Sequence, residues 1–298
     1  MNQTKYGYYP GCSLLSSAVE YDRSARGVLG ALGVSLEAID DWVCCGATPA
    51  HATSHLLSVA LPAISCAAAE KQGLDILTCC SACYSRLKQA NEELKDDPRL
   101  MDQVNALIEE DYHGRTRVLH VAEVLAREVG LDAIRSRVTK PLKGLKVASY
   151  YGCLLARLPE RLRIDKVEYP TLLDDLAAAT GAEPVEWPSK TECCGAALTL
   201  ARQETVVRLS GQIVQIAKEC GADAIVVACP LCQANLDMYQ SDAEGSLGEQ
   251  LGVPVLYFTQ IMGLAMGLGP RELCLEKVIV DPMPLLAEKG FVETGVYL

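Results

Sequence analysis

What the 298-residue sequence lacks narrows its chemistry first. No apolar run reaches the roughly 18 residues that a membrane-spanning helix requires; the longest candidates, around 56–69 and 261–268, are short or broken by Ser, Pro or Gly. The first residues contain no long apolar stretch of the kind found in a secretory signal. Basic residues are not in excess: 27 Lys and Arg against 38 Asp and Glu leave a net charge of −11, spread without long acidic runs. Nucleic acid is therefore not an expected partner, because binding phosphates needs a basic face. These absences lead to the expectation of a cytoplasmic protein without a membrane span.

Cysteine is what the chain has in quantity. Of its 14 cysteines, ten fall into a frame used twice. Gly11-Cys12, Cys44-Cys45-Gly46 and Cys80-Ser81-Ala82-Cys83 recur as Gly152-Cys153, Cys193-Cys194-Gly195 and Cys229-Pro230-Leu231-Cys232. The gap from Cys45 to Cys80 is 34 residues, as is the gap from Cys194 to Cys229; the Cys12–Cys44 and Cys153–Cys193 gaps differ, at 31 and 39. In a reducing compartment such regular thiols indicate metal binding or redox catalysis rather than disulfide staples.

The elements around the cysteines repeat in the same order. Residues 6–10 read as a strand ending at the Gly11-Cys12 turn, 13–32 as a helix and 34–39 as a second strand leading to Cys44. A buried helix over 56–72, a short strand over 74–78 and a helix from Cys83 to Leu94 follow, with 92–99 and 109–114 as solvated charged stretches and 118–129 as a further helix. The second half replays this with strands at 146–151, 183–187 and 224–228 and helices at 172–180 and 205–220, then a strand at 253–257 and a helix at 260–268. Residues 281–298 read as an extended, docked arm. The expectation is an α/β protein of two pseudo-symmetric domains, 1–140 and 141–298, each a small, mainly parallel sheet flanked by helices, with the hinge at 141–144. Gly27, Gly30 and Gly33 read as helix packing and a C-cap, not as a nucleotide-binding loop.

Thiolates are soft ligands that select zinc, copper(I) or iron–sulfur clusters. Cys80/Cys83 and Cys229/Cys232, two residues apart at a strand-to-helix turn, can aim both sulfurs at one metal. Adjacent cysteines in a regular strand would point to opposite sides, so Cys44-Cys45 and Cys193-Cys194 need an irregular turn, and Gly46 and Gly195 supply the left-handed backbone for it. A closed zinc site or a standard cluster takes four ligands, so five cysteines per half point to a larger or more open metal assembly. Zinc held by four of five in one half, thiol–disulfide exchange through the two C-x-x-C pairs, and cysteines that merely fill the core remain as alternatives.

On these residues the chain resembles the B subunit of heterodisulfide reductase, which is built from two cysteine-rich CCG domains; the segment 119–125 resembles that family's inter-domain region. The resemblance implies that Cys12, Cys44, Cys45, Cys80 and Cys83 hold one noncubane [4Fe-4S] cluster and that Cys153, Cys193, Cys194, Cys229 and Cys232 hold another. It implies a disulfide substrate clamped between the clusters and reduced with electrons from a ferredoxin-like C subunit and a flavin-containing A subunit. The chain itself has neither the ferredoxin cysteine runs nor a flavin fingerprint. Where archaeal members carry Pro and Arg after the first cysteine, this chain has Ser13-Leu14-Leu15-Ser16, and the run from Gly46 to His51 resembles bacterial members. The alternative class is an electron-transfer or scaffold subunit of a bacterial oxidoreductase complex without its own disulfide substrate.

Other residues complete the set of candidates. His51 and His55, four apart, would share a helix face and could donate a proton beside the substrate. His113 and His120 read as structural or exposed. Arg157, Arg161 and Arg163 read as an anion site or a solvated helix face. Cys79, Cys66, Cys220 and Cys274 read as packing residues.

Overall fold

The computed structural model describes residues 4–293. Eight strands form two four-stranded sheets, β1 (Lys5–Tyr9), β2 (Ser35–Ala38), β3 (Ile76–Thr78) and β4 (Val118–His120) in the order β2-β1-β3-β4, and β5 (Lys146–Tyr150), β6 (Glu183–Pro184), β7 (Ala224–Val227) and β8 (Val255–Tyr257) in the order β6-β5-β7-β8. Every pairing is parallel, with Gly7 opposite Ile76 and Ile76 opposite Val118 in the first sheet, and Val147 opposite Ala224 and Ile225 opposite Val255 in the second. Parallel strands need crossovers, so helices cover both faces and the inner strands become continuous apolar runs. The inner strands β3 and β7, and β4 and β8 at one edge of each sheet, are buried along their whole length, whereas β2 and β6 at the other edge are partly exposed and Pro184 is confined to an edge.

In each sheet the strand order reverses beside the first strand, which opens a crevice at the carboxyl ends of the strands. The ten framed cysteines all follow the carboxyl ends of three strands per sheet: β1, β2 and β3, then β5, β6 and β7.

The halves exchange helices. The Val19–Ala31 helix of the first half packs on the Phe258–Ala265 helix of the second, and the Leu172–Ala179 helix of the second half packs on the Leu131–Arg137 helix of the first. Tyr21 stacks on Tyr257 with ring centroids 4.0 Å apart, and the hydroxyls of Ser24 and Thr259 bond at 2.7 Å. Gly27 permits this approach, because a Cβ there would stand 2.8 Å from Leu268. Gly33 (φ +77°) closes the Val19–Ala31 helix, with the N–H of Val34 reaching back to the carbonyl of Leu29 at 2.9 Å.

Three expectations are corrected and one helix is added. The helix expected over 13–32 is two, Gly11–Leu14 and Val19–Ala31; the hydroxyl of Ser16 takes the carbonyl of Cys12 at 2.8 Å, an alternative to helical bonding that serine offers readily. Residues 118–120 are not helical but form the fourth strand, since a short apolar run fits a buried strand as well as a helix. A helix at Pro98–Ile108, unread in the sequence, is capped by the Asp97 carboxylate on the N–H groups of Arg99 and Leu100, with proline in its first turn. The C-terminal segment is not wholly extended: Met283–Glu288 is a helix with Leu286 buried, and Lys289 pairs with Asp223 at 2.8 Å; residues 294–298 lie outside the described part.

Candidate metal centre

The two cysteine quintets are built alike. Gly11 (φ +63°) and Gly152 (φ +66°) turn the chain after β1 and β5, and at either position a Cβ would lie 2.9 Å from the last cysteine sulfur of the same half, Cys83 or Cys232. Only glycine leaves that sulfur its place. Gly46 (φ +76°) and Gly195 (φ +79°) hold the left-handed turn after each adjacent pair, the backbone that the sequence demanded. Tyr9 and Tyr150 brace these loops from beneath: each donates its hydroxyl, at 2.7 Å, to the carbonyl of the residue before the pair, Val43 or Glu192. Burial first, and the neighbouring thiols second, push both phenols well above their usual range, so they remain donors.

In the first half Cys45, Cys80 and Cys83 are buried while Cys12 and Cys44 reach solvent; in the second Cys194, Cys229 and Cys232 are buried, Cys153 is half-buried and Cys193 is exposed. The sulfurs of Cys45 and Cys83 stand 3.5 Å apart, those of Cys194 and Cys232 3.7 Å, and those of Cys153 and Cys193 3.8 Å. The hydrogen bond with the Cys83 sulfur holds the Cys45 thiol down at about 7 against its burial, and that with the Cys232 sulfur lowers Cys194 in the same way. All 14 cysteines are free thiols. Five soft donors in each crevice, two accessible and three or so buried, fit a metal–sulfur cluster. Among the described residues no three of His, Cys, Asp or Glu converge tightly enough to hold a single metal ion.

The quintets face each other. The Cys80 and Cys229 thiols shift each other's acidity across the junction of the halves, raising Cys80 and lowering Cys229, and the Ser81 hydroxyl donates to the carbonyl of Ala228 at 2.9 Å. A cavity of about 270 Å³ opens here, lined by all five cysteines of the second half with Leu154 and Leu231, and by Ala47, Ser81, Ala82 and Arg86 of the first half, whose cysteines do not line it. Arg86 and Asn235 were missed in the sequence. The repeat could have shown them, because each lies three residues after the last cysteine of its half. The Asn235 amide is buried and bonds the carbonyl of Cys194 at 3.2 Å and its sulfur at 3.8 Å.

The histidines do not join this site. Ser54, in extended backbone, ends the helix carrying His51 and starts the one carrying His55, so the two share no helix face. Neither lines the cavity, and His55 pairs with Glu93 at 2.7 Å. His120 is fully buried at the junction: Nδ1 accepts from the N–H of Ala122 at 3.2 Å and Nε2 meets the carbonyl of Cys79 at 2.9 Å, which assigns a neutral ring, and burial lowers its pKa to about 4. His113 is exposed. The three arginines are occupied elsewhere, Arg157 on the carbonyl of Thr191, Arg161 on Asp96 and Arg163 on the carbonyl of Leu158. Cys79, Cys66 and Cys274 are buried as expected; Cys220 is exposed, at the C-cap of the Gln203–Glu219 helix.

Residues 6–88 and 147–237 each match the family described as a cysteine-rich domain, CCG. The chain is 34% identical to the membrane anchor subunit of the 8-methylmenaquinol:fumarate reductase of Wolinella succinogenes, over 95% of this chain and 99% of that one. It is 31% identical to the B subunit of the ferredoxin/F420H2-dependent CoB-CoM heterodisulfide reductase of Methanosarcina acetivorans, over 98% and 99%. It is also 31% identical to a protein of Archaeoglobus profundus described as like the heterodisulfide reductase B subunit, over 90% and 92%. A hypothetical protein from Helicobacter pylori shares the fold, with a TM-score of 0.72 at 14% identity; 93% of this chain spans 51% of that one. No helix among the described residues is long and apolar enough to cross a membrane.

Proposed function

The chain belongs to the family built from the cysteine-rich CCG domain, which it carries twice, and from that premise we propose that it is the iron–sulfur subunit of a heterodisulfide reductase-type complex. Its domains divide at 140/141. Cys12, Cys44, Cys45, Cys80 and Cys83 hold one noncubane [4Fe-4S] cluster, and Cys153, Cys193, Cys194, Cys229 and Cys232 hold the second. The observation that carries this reading is that two quintets with the same glycine turns and tyrosine braces lie on either side of the junction joined by Ser81 and Ala228. Bound there, the clusters would supply the two electrons that reduce a disulfide to two thiols.

The chain's own residues prepare the place. Tyr9 and Tyr150 fix the paired-cysteine loops, Gly11 and Gly152 keep space for the last sulfur, and Ser81 and Tyr21 tie the halves by holding the Ala228 carbonyl at 2.9 and 3.3 Å. The apolar walls limit water. Electrons arrive from a ferredoxin-like C subunit and a flavin-bearing A subunit, in a cytoplasmic, reducing setting where the free thiols persist. Chemical analysis of protein prepared without oxygen tests the assignment: iron and acid-labile sulfide in rough equality, and an electron paramagnetic resonance signal altered by a disulfide, are expected, whereas zinc alone would overturn it.

The similarity to the Wolinella protein supports a second reading, electron transfer within a reductase complex that has no disulfide substrate. Reoxidation of the reduced chain by a protein partner but by no disulfide would select it.

A further inference from the structure

The structure assigns Asn235 a role that the first half does not repeat: its amide donates to the sulfur of Cys194 and so raises the reduction potential of the metal group held by the second quintet. Asn235 lies on the Pro230–Met238 helix and is 4% exposed. One atom of its side chain stands 3.2 Å from the carbonyl of Cys194 and 3.8 Å from the sulfur of the same residue. A carbonyl oxygen can only accept, so that atom is the amide nitrogen, and its second hydrogen is left for the sulfur. The amide oxygen rests against the Thr199 hydroxyl at 3.3 Å, which fixes the same orientation.

What the amide alone supplies is the bond to sulfur, because the carbonyl of Cys194 has another donor, the buried Ser210 hydroxyl at 3.3 Å. The first half keeps none of these polar groups in place. Counted from the cysteines of the repeat, Arg86, Ala50 and Leu61 stand where the second half has Asn235, Thr199 and Ser210. Arg86 is a charge near Cys45, and among the described residues no side-chain amide reaches the Cys45 sulfur. A thiolate bound to a metal cluster gains negative charge when the cluster is reduced. A buried donor on that sulfur therefore stabilises the reduced state more than the oxidised one, and hydrogen bonds to the sulfurs are among the features that set a cluster's potential. The two halves, alike in their glycine turns and tyrosine braces, tune their centres by different means: an amide on one sulfur in the second, a nearby cation in the first.

This role rests on the cluster proposed for the second quintet, so iron and sulfide are measured on every preparation. The test is a redox titration of the full chain, followed by electron paramagnetic resonance, in wild type, Asn235→Leu, Asn235→Asp and Ser210→Ala. Asn235→Leu should disfavour the one-electron reduction of one centre about tenfold, a fall of about 59 mV, and leave the other centre where it was. Asn235→Asp keeps the shape of the side chain, offers only acceptors when ionised, and should lower the same centre at least as far. Ser210→Ala takes a donor from the carbonyl and none from the sulfur, and should leave both potentials as in wild type. Potentials that do not move in the Asn235 variants, that fall together for both centres, or that fall as far in Ser210→Ala would overturn the inference. Loss of iron from both Asn235 variants would make the amide a structural support and overturn it equally. Wild type that carries zinc alone would sink the cluster assignment and this role with it; fully loaded protein whose potentials ignore Asn235 would sink this role only.

Discussion

Ser81 donates its hydroxyl to the carbonyl of Ala228 across 2.9 Å, and in doing so joins the residue after one buried cysteine, Cys80, to the residue before another, Cys229. The bond is buried and spans the two halves. Ser81→Ala should lower stability by about 1 kcal/mol, not more, because the Tyr21 hydroxyl still reaches the same carbonyl at 3.3 Å. Denaturant unfolding with an unchanged midpoint would show that the bond contributes nothing.

Tyr9 and Tyr150 make the same contact but leave different debts when removed. The carbonyl of Val43 has a second donor, Ser65, at 3.2 Å, whereas among the described residues that of Glu192 has Tyr150 alone. Tyr150→Phe should therefore cost about 1–3 kcal/mol, the penalty of an unsatisfied polar group, and Tyr9→Phe about 1 kcal/mol or less. Thermal melts of the two variants that coincide, or that rank the other way, would contradict this.

Gly11→Ala forces a Cβ to 2.9 Å from the Cys83 sulfur at a φ of +63°. The first quintet should lose its metal while the second keeps it, read as a fall in iron and sulfide and the loss of one component of the resonance spectrum. Gly30→Ala, with nothing within 4 Å in an ordinary helix, should instead leave the metal content alone and add about 0.4–1 kcal/mol of stability. Equal metal content in the two variants would remove the steric argument.

Acid should destabilise the chain through His120. Its folded pKa, about 4, lies below the ordinary 6.5 because burial disfavours the imidazolium. Between those values the unfolded chain binds more protons, so this contribution is complete above pH 6.5, is lost as the pH falls toward 4, and changes no further below that. The loss totals roughly 3 kcal/mol. Denaturation of wild type and His120→Gln from neutral pH to pH 4.5 should show stabilities that converge on acidification; parallel curves would show that the ring titrates as in water.

The quintets, their glycines and seven of the eight strands were legible, because thiol spacing and left-handed turns leave local marks. β4 was not: three apolar residues, Val118 to His120, carry no period long enough to separate strand from helix. β3 and β8 were each begun two residues early, and the join between the helices carrying His51 and His55 was invisible because Ser54 caps one helix while ending another. Arg86 escaped notice because its place on the cavity wall is made by the fold and not by any local pattern. The depth of His120 escaped for a similar reason, since burial there is created by the other half.

The exchanged helices bear on how the molecule holds together. Val19–Ala31 leans on the far sheet's helix and Leu172–Ala179 leans back, in the manner of a symmetric dimer whose protomers share one contact patch. Cutting the chain between the sheets would strip Tyr21 and Tyr257 of their cover together, so two separately expressed fragments should be insoluble alone and recover only when mixed. The polypeptide linking them thus acts chiefly as a tether that sets a high local concentration of each half for the other.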